Sequence, residues 1–157
     1  MKQKLKNLMI FPAEVLIFII KIYTYFIGKV VNRDIQGVFF DHLINSIHNK
    51  KEFVTHKDTN NNSTKFLFYT PNALCKMRAK TFSNKEPEIL EWIDKFGDNK
   101  PFWDIGSNIG LYSIYFAKKH KGKVYSFEPS FFNLKQLAKN ININNVSKQI
   151  NIIPLPL

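Results

Sequence analysis

Two carboxylates and a glycine turn form the one stretch of this chain whose residue types and spacing suit specific chemistry. Asp104, Gly106, Ser107, Asn108 and Gly110 stand in the order Asp-x-Gly-Ser-Asn-x-Gly, and Glu128 closes the next apolar run. A glycine turn that opens a helix offers backbone N–H groups to a ligand. In a dinucleotide fingerprint the middle position is also glycine, which lets the backbone approach a pyrophosphate; here it is Asn108. Asn tolerates positive φ, so the bend survives while the closest approach is partly blocked. Asp104, just ahead of the turn, repels a diphosphate and suits a ligand carrying positive charge. The pattern favours a cationic nucleoside over a dinucleotide. A nicotinamide-dependent oxidoreductase is the competing class, since Glu128 would suit its ribose equally well.

The elements that must position these groups follow from hydrophobic spacing. Phe102 to Ile105 reads as a buried strand, and Leu111 to about Lys119 as a helix with Leu111, Ile114 and Tyr115 on one face. Gly122 turns the chain into a second strand, Val124 to Glu128. Ser130 suits an N-cap for a helix carrying Phe131, Leu134, Leu137, Ala138 and Ile141. Asn144 and Asn145 turn into a third strand, Gln149 to Ile153. The order is βαβαβ, the first half of a doubly wound, Rossmann-like α/β sheet, whose strand C-termini would bring Asp104, the turn and Glu128 to one crevice.

The strings DIGSNIGLYS, VYSFEPS and NLKQLAKNI together resemble the cofactor-binding half of the FkbM-type branch of class I S-adenosylmethionine-dependent methyltransferases. TFSNKEPEILEWIDKF resembles that family's lead-in, so the resemblance runs from about Arg78 onward. It implies S-adenosyl-L-methionine as cofactor, with Asp104, Gly106, Ser107, Asn108 and Gly110 at its methionine end and Glu128 on its ribose hydroxyls. Ser107 stands where the family has alanine. The implied reaction is O-methylation of a sugar or other hydroxyl-bearing metabolite, with a small-molecule or glycan acceptor; no catalytic base is assigned.

Upstream, Glu86 to Phe96 reads as a helix with Pro87 in its first turn and Gly97 as its stop. Glu86 and Glu88 suit the helix N-terminus, with bordering of the cofactor pocket as the functional alternative for one of them. Lys65 to Tyr69 and Leu74 to Ala79 are β-prone runs about a Thr70–Ala73 turn, which predicts a hairpin ending at Arg78, a residue suited to an internal carboxylate or an anionic acceptor. From Asn32 to Ser63 the pattern is irregular, with a short helical stretch near Val38 to Ile47.

Composition narrows the classes. A length of 157 residues allows one ordinary domain. Cys75, the single cysteine, rules out an intramolecular disulfide framework and reads as apolar filler. His42, His48 and His56 lack metal-ligand spacing and read as surface residues; no metal is expected. The net charge of +11 divides into +4 over residues 1–34, +2 over 35–100 and +5 over 101–157. With no basic stripe interleaved with aromatics, no nucleic-acid partner is expected. The cluster Lys118, Lys119, His120, Lys121 and Lys123 reads as a solvated helix end.

Residues 8–31 are apolar enough to cross a bilayer, interrupted by a heptad stripe of Asn7, Glu14, Lys21 and Gly28. Such a helix could lie on a membrane surface, span it, or pack on the rest of the chain. The expected location is cytoplasmic, with membrane association through this helix. Three segments follow: a helix at 1–34, a family-specific region at 35–100 and half of the cofactor-binding domain at 101–157. Because the third strand has no covering helix and no second half-sheet follows, the chain reads as part of a longer protein; an inactive truncated fragment is the third functional reading. The oligomeric state is left open.

Overall fold

The computed structural model describes residues 2–97 and 100–157, with side chains described from residue 10 onward. The chain divides into two compact units, Met1–Ile47 and His48–Leu157. The helical pattern near Val38 belongs with the N-terminal helix, while residues 48–100 share one core with the parallel strands.

In the first unit, α1 (Lys2–Val31) is a single helix and α2 (Ile35–His48) follows after a short turn. Asn32 takes a left-handed φ of 54°. The carbonyl of Arg33 passes so close to Gly28 that a Cβ there would meet it at 2.8 Å. Gly28 therefore lets the chain after α1 pass close to the helix. Asp34 Oδ1 caps α2 by accepting the Gly37 N–H at 2.9 Å. Of the expected heptad stripe, Glu14 and Lys21 are exposed, and Asn7 lies outside the described side chains.

The second unit opens with an antiparallel hairpin of β1 (Lys51–Lys57) and β2 (Ser63–Tyr69), in register from Lys51↔Tyr69 to Lys57↔Ser63. This corrects the expected hairpin. β2 lies where expected, but its partner is upstream and Leu74–Ala79 falls in a helix, α3 (Ala73–Lys80). Asn72 Oδ1 accepts the Cys75 N–H at 2.9 Å, which nucleates the first turn of α3, and Cys75 and Ala79 at i, i+4 spacing supply its buried face. β1 escapes an apolar reading because its one buried member is His56, while Phe53 is exposed. Asp58 builds the hairpin turn, its Oδ1 accepting the N–H groups of Asn60 and Asn62 at 2.9 and 2.8 Å.

Two further helices, α4 (Phe82–Lys85) and α5 (Pro87–Phe96), lead into the sheet. The sheet holds β3 (Phe102–Ile105), β4 (Val124–Phe127) and β5 (Ile150–Ile153), all parallel in the order β3-β4-β5. They are joined by α6 (Leu111–His120) and α7 (Phe131–Ile143). The βαβαβ order and its boundaries match the expectation to within a residue. Ser130 occupies the N-cap position of α7, but its side chain accepts no capping hydrogen bond.

α6 is the centre of the unit. Ser113 through Ala117 are all buried, which explains why its sequence shows only a weak one-sided pattern. Phe102 of β3 stacks on Phe116 at 4.8 Å, and Phe66 of β2 meets Tyr115 at 5.8 Å, so α6 is held by both strand layers. Burial of Phe66, Phe68 and Phe82 stabilises the fold by about 1.5–3 kcal/mol each, before packing details. β2 also borrows hydrogen-bond partners from α7. Asn140 Oδ1 accepts the Tyr69 N–H at 2.9 Å, and Asn144 bonds both the N–H and the carbonyl of Leu67 at 3.1 and 2.7 Å. The opposite face of the sheet is open, with Trp103 57% and Ile105 60% exposed.

Candidate cofactor site

The turn after β3 is pinned to the end of β4. The N–H groups of Gly106 and Ser107 both donate to the Phe127 carbonyl, at 2.9 and 3.0 Å, and the Gly110 N–H donates to the Ser107 carbonyl at 2.8 Å. Gly106, Asn108 and Gly110 all take positive φ, at 78°, 55° and 88°. Asn108 thus bends as expected of the residue in the middle slot. The two glycines are needed for different reasons. A Cβ on Gly106 would meet nothing within 4 Å, so that position faces open space; one on Gly110 would lie 2.5 Å from Leu137 Cδ1, so that glycine lets α6 and α7 approach.

Glu128 sits immediately after β4, is buried, and brackets the turn. Its Oε2 accepts the Asn108 N–H at 2.8 Å and its Oε1 accepts the Ser130 N–H at 2.8 Å. Each carboxylate oxygen retains accepting capacity, so the group can also take hydroxyl donors from a ligand. Asp104 is buried at the end of β3. Its Oδ2 accepts both the N–H and the hydroxyl of Ser113, at 3.0 and 2.5 Å, tying the strand to the first turn of α6. Burial pushes its carboxyl above the usual carboxylate range, partly opposed by the two Ser113 bonds, while the charge of Glu128 adds to the rise. All six residues expected at the site, Asp104, Gly106, Ser107, Asn108, Gly110 and Glu128, lie in or beside this one turn.

Two cavities meet at the turn and share Glu86, Gly106 and Tyr112 in their walls. The larger, about 550 Å³, also takes in Asp104, Glu88 and Trp92. The smaller, about 200 Å³, takes in Arg78, Lys85 and Asn108. Glu86 therefore borders the pocket rather than serving the helix end alone: Tyr112 donates to its Oε2 at 2.7 Å, and Lys85 lies 3.1 Å from its Oε1. The hydrogen bond from Tyr112, with that from Lys85, keeps the Glu86 carboxyl below its usual range. Arg78 meets no carboxylate among the described residues; it donates to Asn108 Oδ1 at 2.5 Å. Sequence reasoning missed Tyr112, although its place two residues after the last glycine, in the first turn of α6, was a usable signal.

Away from this site, His56 is buried against the rings of Phe82 and Tyr115, with Nδ1 3.0 Å from Ser83 Oγ, which corrects its reading as a surface residue; His42 and His48 are exposed. Among the described residues no group of three or more His, Cys, Asp or Glu could hold a metal ion. Cys75 is a buried free thiol, pushed up by desolvation. The basic cluster is only partly solvated. Lys119 pairs with Asp58 at 2.9 Å and Asp94 at 2.7 Å, holding the Asp58 carboxyl down to about 2, and Lys118 donates to the Lys65 carbonyl at 2.7 Å.

No family model matches the chain. A curated tRNA (uracil(54)-C(5))-methyltransferase of Pyrococcus furiosus is 30% identical over 70 residues, and this match spans 45% of the chain but only 17% of that protein's length. Among solved structures, M. jannaschii TYW2 in complex with AdoMet is similar at 22% identity and a TM-score of 0.45, over 68% of this chain and 44% of that one. The Pyrococcus abyssi tRNA (uracil-54, C5)-methyltransferase, in complex with S-adenosyl-L-homocysteine, is similar at 20% identity and a TM-score of 0.43, over 65% of this chain and 23% of that one. Two of the three are named as methyltransferases, and the two solved structures hold AdoMet or S-adenosyl-L-homocysteine; none is named as an FkbM protein. The expected partners require correction. The curated relative is a tRNA methyltransferase, so the exclusion of nucleic acid, and with it the small-molecule or glycan acceptor, no longer stands.

Proposed function

We propose that the unit spanning residues 48–157 binds S-adenosyl-L-methionine and belongs to a methyltransferase that uses it. The observation that carries this reading is the Glu128 bracket: a buried carboxylate reaching across both strand ends to the Asn108 and Ser130 N–H groups, beside a Gly106 that faces open space. The residues present fit the cofactor. Glu128 accepts from a ribose, the bare Gly106 admits a close ligand, and Asp104 with Glu86 gives the larger cavity a negative wall suited to a cation. When bound, S-adenosylmethionine supplies a methyl group already activated by its sulfonium charge. The chain's own task is orientation, and Ser113 serves it by locking Asp104 to α6 so that the turn has one shape.

For the acceptor we read a nucleic acid, supported by the curated relative and by a net charge of +11, which favours a polyanion. Thermal unfolding in the presence of S-adenosylhomocysteine or NADH tests the cofactor. The expected result is a rise in midpoint with the first and none with the second, and stabilisation by NADH alone would defeat the reading.

A further inference from the structure

The smaller cavity holds opposite charges that the parallel sheet does not supply. Arg78 comes from α3 and Glu86 from the junction of α4 and α5, yet both line the same space of about 200 Å³ beside Gly106 and Asn108. We infer that these two residues clamp the amino-acid end of the bound cofactor, Glu86 taking its α-ammonium and Arg78 its α-carboxylate. The inference rests on the cofactor reading above and extends it to residues outside the glycine turn.

Arg78 is half-buried and has no ion pair among the described residues, so its charge is left without a counterion in a partly desolvated place. Its bond to the neutral Asn108 Oδ1 aims the guanidinium at the turn and leaves further donors for a planar carboxylate. Glu86 is set in place by Tyr112, and among the described residues its one ionic partner is Lys85, whose side chain is 61% exposed. An exposed lysine is a weakly held counterion that an incoming ammonium can replace. Asn108 links the two ends of the site: its N–H reaches Glu128 and its side chain reaches Arg78. A nucleoside whose ribose sits at Glu128 therefore directs its amino-acid tail across the turn towards Arg78 and Glu86.

Calorimetric titration of the full chain with two probes tests this. S-adenosylhomocysteine carries the amino-acid tail, and 5′-methylthioadenosine lacks it. Glu86→Gln and Arg78→Gln are each expected to weaken S-adenosylhomocysteine about 10-fold or more, the scale of a charge-assisted bond, and to leave methylthioadenosine within about 2-fold. Retained methylthioadenosine binding also shows that each variant is folded. Unchanged S-adenosylhomocysteine affinity, or an equal loss of both probes, overturns the clamp while the cofactor reading survives through the unaltered chain. Failure of the unaltered chain to bind either probe overturns both.

Discussion

His56 shows how a single residue couples this fold to pH. Desolvation lowers its pKa below the ordinary 6.5, outweighing the upward pull of Asp94, and its ring lies between Phe82 and Tyr115. A histidine with a depressed folded-state pKa binds its proton more readily when unfolded, so its neutral form stabilises the fold above 6.5 and that contribution drains away as pH falls below it. Urea denaturation between neutral and mildly acidic pH is expected to show stability falling with pH, and His56→Phe is expected to flatten that slope. Asp58 acts lower on the scale: with its carboxyl held to about 2 by Lys119, the pair persists until pH approaches that value. The Tyr115 hydroxyl donates to Asp94 from within the same cluster, and burial together with that carboxylate pushes the phenol up.

At the scale of elements, the site depends on α7 as much as on the strands. Asn140 is fully buried, accepts the Tyr69 N–H of β2 and donates to the Ile109 carbonyl inside the glycine turn at 2.9 Å. Asn140→Ala leaves both backbone groups unpaired and is expected to cost about 2–4 kcal/mol, measured as a shift in urea midpoint at constant slope. Such couplings also mark the limit of what the sequence displays. Asp104, Gly106, Asn108, Gly110 and Glu128 are legible because strand, turn and strand are contiguous and each boundary carries its own signal. Arg78 and Glu86 reach the turn only through packing between elements, which no local spacing encodes. The hairpin was misread for the same kind of reason. Leu74–Ala79 is β-prone taken alone, whereas the Asn72 cap and the burial of Cys75 and Ala79 decide for a helix. Asn140 and Asn144 read as helix and turn residues, and their work as edge partners for β2 appears only in three dimensions.

At the scale of the whole molecule, the two units present different surfaces. Ile10–Val31 of α1 is long and apolar enough to cross a bilayer, and only 6% of the qualifying window is buried. Phe11, Phe18, Tyr23 and Phe26 are each more than 60% exposed, with Lys21, Lys29 and Arg33 along the helix and just beyond its end. We propose that this helix contacts a lipid surface. Flotation with anionic vesicles is expected to carry the chain upward and to lose the variant Phe18→Asp/Phe26→Asp; equal flotation of both would remove the proposal. None of this bears on the cofactor, whose groups all lie in the second unit. The central claim is tested most directly there, by titrating S-adenosyl-L-methionine, which carries the sulfonium charge, into the unaltered chain and into the isosteric double variant Asp104→Asn/Glu128→Gln. The account predicts binding by the first and a loss of about 100-fold or more in the second, the scale of two charge-assisted contacts. Equal affinity in the two would contradict it.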